Sequence, residues 1–218
     1  MKKIIGIIIV CLLLISVICL FADFNRYTYK TKTVCDENEE IIFSITTFDG
    51  KGESEPFIMC LGHAWVSIDN KTGRMIKLMD YEIENGETVT LSAWALSEHR
   101  GVYFNLEPNF IKQFGRYVGR KSLSVGIDES QLAKIEDYIR NNDNWTFVKN
   151  CSHWSLDLWN EIVGNEYRLK TQTVVYTPGR LLKSFDEYDC VETDKDFSNA
   201  KEVFYYRNGV RTELELCS

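Results

Sequence analysis

Asn150-Cys151-Ser152-His153-Trp154 stands between two runs of different period. Before it, Trp145-Thr146-Phe147-Val148 is aromatic and β-branched; after it, Trp154, Leu158 and Ile162 recur at helical spacing. The pattern predicts a strand-to-helix junction, with Cys151 in the first turn of an amphipathic helix that stops at Gly164-Asn165. A helix start carries unpaired amides and the positive end of the helix dipole, so a thiol placed there ionises below its reference pKa of about 8.5. The same amides, those of Cys151 and Ser152, are suited to hold a developing oxyanion.

A thiolate needs a proton acceptor, and the chain has three histidines, His63, His99 and His153. In Leu61-Gly62-His63-Ala64-Trp65-Val66-Ser67-Ile68-Asp69, Ala64, Val66 and Ile68 alternate with His63, Trp65 and Ser67. That is strand periodicity, with an aliphatic face and a face bearing the imidazole. His153 points about 200° around the helix from Cys151 and is poorly placed as a base. His99, between Glu98 and Arg100, reads as a solvated loop residue. A lone cysteine is more often a small core hydrophobe than a nucleophile. Nucleophile and base drawn from separate elements shift the balance toward chemistry.

Further strands are expected at Ile41–Phe48, Phe57–Ile68, Met75–Ile83, Thr88–Ala95, Gly101–Asn105, Thr173–Tyr176 and Glu202–Tyr206. Asn70–Gly73 and Glu84-Asn85-Gly86-Glu87 read as turns, the second a hairpin signal through Asn-Gly. Helices are expected from Pro108 to about Phe114, behind a capping box at Asp128-Glu129-Ser130-Gln131, and after Thr177-Pro178. The fold class is α+β, a mostly antiparallel sheet packed against helices.

The Gly62-His63 strand followed later by the Asn150-Cys151 helix resembles the circularly permuted papain-like thiol hydrolases. These are relatives of the NlpC-type cell-wall peptidases and of lecithin:retinol acyltransferase. Ordinary papain-like enzymes run cysteine before histidine; here the order is reversed. The resemblance spans roughly Phe57 to Phe185 and includes His99-Arg100-Gly101-Val102-Tyr103-Phe104-Asn105-Leu106-Glu107 and the closing segment Thr177–Phe185. It implies a permuted papain-like domain at residues 41–218, with Cys151 as nucleophile and His63 as general base. A third, polar member is implied on a strand soon after the histidine strand, and Asp80, His99 and Asp69 compete for it. The implied substrates are peptidoglycan peptides or other amides; lipid acyl transfer or hydrolysis is the alternative, and a binding module on the same scaffold the non-enzymatic one. Trp65, Trp94, Trp154 and Trp159 are candidates either for a groove or for the core.

The N-terminus reads Met1-Lys2-Lys3 and then runs uncharged from Ile4 to Ala22. At about 1.5 Å per residue that run spans roughly 28 Å, near the thickness of a bilayer core. Residues 1–22 are expected as a signal anchor or signal peptide. The anchor is favoured because Leu20-Phe21-Ala22 is a poor small-x-small cleavage site. Residues 23–40 then form a juxtamembrane spacer, and the body faces outside a bacterial membrane or is secreted.

Cys11 and Cys19 fall in the apolar run, leaving Cys35, Cys60, Cys151, Cys190 and Cys217. In an oxidising compartment an odd number leaves one free thiol; with Cys151 in that role the other four form two bridges in one of three pairings. A formal charge of −7 without a basic stripe makes nucleic acid an unfavourable partner. Metal-ligand spacing and Gly-rich phosphate loops are absent from the sequence, so neither metal nor cofactor is expected.

Overall fold

The computed structural model describes residues 40–51, 62–96, 99–146, 148–170, 176–197 and 201–214. The expected anchor and residues 23–39 of the expected spacer lie outside these residues, as do Thr173–Val175, Cys35, Cys60 and Cys217, so the expected disulfide pairings fall outside them too. Among the described residues, no helix is long and apolar enough to cross a membrane.

The elements in chain order are β1 (Ile41–Phe48), β2 (His63–Asn70), β3 (Ile76–Leu78), β4 (Tyr81–Ile83), β5 (Thr88–Leu96), β6 (His99–Phe104), α1 (Leu106–Phe114), β7 (Lys121–Ile127), α2 (Glu129–Asn141), α3 (Cys151–Ile162), α4 (Pro178–Ser184), β8 (Glu192–Thr193), β9 (Phe204–Arg207) and β10 (Val210–Glu213). Eight strands form one antiparallel sheet in the order β10-β9-β6-β5-β2-β1-β7-β8. The fold is α+β with a mostly antiparallel sheet.

One face of the sheet is aliphatic: Phe43 and Ile45 of β1, Ala64, Val66 and Ile68 of β2, Leu91 of β5 and Leu123 of β7 point into the main core. Helix α3 lies across β1, β2 and β5 on this face, with Trp159 stacked 5.5 Å from Phe43. Its other side meets α2, which explains why α3 buries Trp154, Leu156, Leu158, Trp159 and Ile162 rather than a single stripe. The expected capping box opens α2: the Asp128 side chain accepts from Gln131 N–H, and the Gln131 side chain accepts from Asp128 N–H. The expected Thr177 cap and first-turn proline open α4.

The opposite face is polar yet also buried. Ser44 meets Ser124 at 2.9 Å and Thr46 meets Ser122 at 2.8 Å. The Lys195 ammonium closes over them, donating to Ser44 (2.9 Å) and pairing with Asp69 (2.8 Å). Every residue of β1 is buried, because the chain covers both faces.

Several expectations are corrected. Met75–Ile83 is two short arms rather than one strand: buried Ile76 and Leu78 fall out of phase with buried Tyr81 and Ile83, and Met79 turns the chain with a φ of 61°. The Glu84–Glu87 turn returns that hairpin to the main sheet instead of pairing β4 with β5. No described residue between Asn142 and Asn150 is in a strand, so Cys151 follows an irregular loop, where Thr146 N–H donates to Lys149 O at 3.2 Å. Helix α1 starts at Leu106, with Pro108 inside its first turn. Strands β7, β8 and β10 are additional to the expected set.

Candidate active site

The β2/β5 ladder covers only Val66–Asp69 against Leu91–Thr88, so the two strands part company at the His63 end. Along a strand, alternate amides point to the same side. The Ala64 N–H, in phase with the paired Val66, therefore emerges toward β5 with no rung to fill. Cys151, half-buried at the first position of α3, comes to this opening. Its sulfur accepts from the Ala64 amide and hydrogen-bonds the His63 imidazole.

Gly62 sets up the entry to β2. It has a φ of +75°, and a Cβ built on it would lie 2.3 Å from the Phe48 carbonyl oxygen. Both conditions require glycine. Gly62→Ala is expected to destabilise the protein by roughly 2–4 kcal/mol in urea unfolding. A midpoint equal to wild type would contradict this account of the strand start.

His63 is buried, and its ring is enclosed by aromatic neighbours: Trp94 at 4.1 Å, Trp65 at 5.6 Å and Tyr117 at 5.8 Å. Its Nε2 is 2.8 Å from Glu107 Oε1, which leaves Nδ1 as the ring nitrogen for the thiol. Glu107, the second residue of α1, is 0% exposed. Thr90 donates to its Oε2 at 2.7 Å, while Trp94 Nε1–H (3.0 Å) and the Ser92 hydroxyl donate to Oε1. Thr90, Ser92 and Trp94 are alternate residues of β5, so their side chains share one face of the strand and converge on the carboxylate. A buried carboxylate is tolerable only when paired and bonded in this way.

These contacts set the electrostatics of all three groups. Burial pushes the Glu107 carboxyl up, but His63, Ser92 and Trp94 outweigh it and hold the group below the usual range. Burial lowers the His63 pKa, yet the Cys151 thiolate and the Glu107 carboxylate raise it to about 9. Burial raises the Cys151 thiol, and the His63 cation together with the Ala64 amide brings it below its ordinary value. All three shifts favour the charged forms, thiolate, imidazolium and carboxylate, and the groups titrate as a coupled set.

The helix start is also ordered. Asn150 caps α3, its Oδ1 accepting from His153 N–H at 3.1 Å and its carbonyl from Trp154 N–H at 2.9 Å. The Cys151 and Ser152 amides are the first two of the helix and have no intrahelical acceptor. Asn150 Nδ2 donates to Tyr176 O at 2.9 Å, tying the cap to the chain that enters α4.

The structure brings Cys151 and His63 together and turns His153 away, where it pairs with Asp157 at 3.0 Å. It does not bring Asp69 or Asp80 to His63. Asp69 lies six residues up β2, roughly 20 Å away at strand rise, and pairs with Lys195. Asp80 sits in the exposed β3–β4 turn, 3.7 Å from Arg211. His99 opens β6 opposite Leu96, and its side chain lies outside the described residues. Both ring-facing positions of His63 are taken by Cys151 and Glu107. Glu107 is the residue the sequence reading passed over. Its trace in the sequence is an acidic side chain in the first turn of an otherwise apolar helix start, Leu106-Glu107-Pro108, a pattern that solvated helices share. Of the four candidate tryptophans, Trp65, Trp154 and Trp159 are core, and Trp94 is half-buried beside the histidine. Among the described residues no group of three or more His, Cys, Asp or Glu is arranged to hold a metal.

No family model matches the chain, and neither does a curated protein or a solved structure. The residues themselves carry the functional argument.

Proposed function

We propose that the protein is a cysteine amidase or endopeptidase of the permuted papain-like kind, acting outside the cytoplasm. The observation that carries this reading is the hydrogen-bonded chain Cys151–His63–Glu107, in which a helix-start thiol meets an imidazole whose far nitrogen is held by a fully buried carboxylate. In the proposed reaction the Cys151 thiolate attacks an amide carbonyl and the first-turn amides of α3 receive the oxyanion. The His63 cation gives its proton to the leaving amine, and neutral His63 then takes a proton from the water that hydrolyses the thioester. Glu107 keeps Nε2–H fixed so that Nδ1 faces the sulfur throughout. The order His63, Glu107, Cys151 along the chain supports the permuted assignment. Peptidoglycan peptide as substrate, and membrane tethering through residues 1–22, rest on the sequence resemblance and the apolar run.

A lipid acyl substrate is the second reading. It is favoured by the aromatic row that leads from His63 through Trp94 and Phe110 to Phe114, which is 60% exposed. Incubating the full chain in detergent with peptidoglycan-derived peptides and, separately, with acyl esters separates the two. The expected result is a peptide-derived acyl adduct on Cys151 in intact-mass analysis, released by hydroxylamine. An adduct from esters alone selects the lipid reading, and no adduct from either class rejects both.

A further inference from the structure

We propose that Asn105 is the positioning residue that aims Glu107 at His63, with the buried Tyr81–Glu87 pair holding Asn105 in turn. The inference rests on the thiol-hydrolase reading of the site and concerns what sets its geometry. β6 pairs with β5 up to Phe104 opposite Leu91, and at Asn105 the chain leaves the strand with a φ of 60° to begin α1. That left-handed conformation suits asparagine better than most side chains. The Asn105 N–H donates to Thr90 O at 3.0 Å, and Asn105 Oδ1 accepts from Thr90 N–H at 3.1 Å, so the side chain imitates one more rung of the ladder. The start of α1 is thereby fastened to Thr90, the residue whose hydroxyl holds Glu107 Oε2.

The other end of the Asn105 carboxamide is equally committed. Nδ2 donates to Glu202 O (3.0 Å) and to the Tyr81 hydroxyl oxygen (3.3 Å), and that hydroxyl donates to Glu87 Oε1 at 2.6 Å. Glu87 Oε2 accepts from the Glu84 amide at 2.9 Å, and the Lys201 ammonium lies 3.5 Å away. Asn105, Tyr81 and Glu87 are 1%, 5% and 3% exposed. The β3–β4 hairpin, remote from Cys151 in sequence, thus reaches the site through one asparagine two residues before Glu107. A displacement of about 1 Å at such a point costs up to 100-fold in catalysis, and because the Asn105 side chain makes no cap bond to α1, its bonds serve to fix this junction.

The test is the pH dependence of iodoacetamide labelling of Cys151 in the full-length chain, read in wild type, Asn105→Gly, Tyr81→Phe and Glu107→Gln. Asn105→Gly keeps the left-handed backbone accessible and deletes the carboxamide; Tyr81→Phe deletes one hydroxyl and leaves the ring. A misaimed Glu107 supports the His63 cation less well, so the thiolate forms at higher pH. The expected shift in Asn105→Gly is about one pH unit upward, which is tenfold slower labelling at the foot of the profile. Tyr81→Phe should move the same way by about half a unit, roughly threefold. Glu107→Gln sets the upper limit. Wild-type profiles in Tyr81→Phe and in folded Asn105→Gly, alongside a displaced Glu107→Gln profile, overturn the positioning role and leave the catalytic reading standing. An ordinary thiol profile shared by wild type and Glu107→Gln overturns the catalytic reading itself.

Discussion

On the proposed thiol-hydrolase mechanism, Cys151→Ala is expected to lower amide or ester turnover by about 10⁴- to 10⁶-fold, the range for removing the nucleophile of a covalent mechanism. The accompanying change in His63→Ala is electrostatic. In the wild type the His63 cation and the Ala64 amide outweigh burial and keep the thiol pKa low. Without the cation, burial acts with less opposition, and the Cys151 labelling profile moves up to about 8.5 or beyond. The sign is specific: losing a cation raises a thiol pKa, whereas relief of burial alone would lower it further. Because His63 is raised to about 9, the wild-type ion pair should persist from the acid limb of Cys151 up to that pH. A profile centred near 8.5 in both proteins, with turnover intact in both alanine variants, would falsify the thiol-hydrolase reading.

The second large effect concerns Glu107. Glu107→Gln keeps the volume but sets an amide among the donors of Ser92, Trp94 and His63. The neutral imidazole then favours the tautomer with its proton on Nδ1, facing the sulfur, so it no longer serves as base. The expected loss in kcat is about 10²- to 10⁴-fold with KM little changed, by analogy with removing the orienting carboxylate of a Ser-His-Asp enzyme. Glu107→Ala also strands four buried donors, and breaking a buried ionic pair of this kind costs about 3–5 kcal/mol in urea unfolding. The carboxyl is held below its usual range, so it stays ionised as pH falls until its depressed pKa is reached. A Glu107→Gln variant with wild-type kcat would remove Glu107 from the site.

The main elements were legible because each is governed by local rules. Alternation at His63–Asp69 and helical spacing from Cys151 to Ile162 are written in neighbouring residues, as are the Asp128–Gln131 box and the Thr177-Pro178 start. The split of Met75–Ile83 was present only as a phase slip between Leu78 and Tyr81. A window that averages over hydrophobicity smooths it away. The run Trp145–Val148 misled because β-branched and aromatic residues also fill loops, and strand propensity depends on a partner strand.

The sequence by itself determined the α+β class, the antiparallel bias and the two residues, Cys151 and His63, whose chemistry and local placement single them out. Only the tertiary structure decided what stands behind the histidine. Glu107 lies 44 residues after His63, and its role arises because β5 presents Thr90, Ser92 and Trp94 on one face while Asn105 turns the chain back onto it. Asp69 and Asp80 are nearer to His63 in sequence, but strand rise and a hairpin carry them to other partners, Lys195 and Arg211. Periodicity records which face a residue occupies. Which polar group is left to meet a buried ring depends on how strands pair and where they part, and that is set by long-range register.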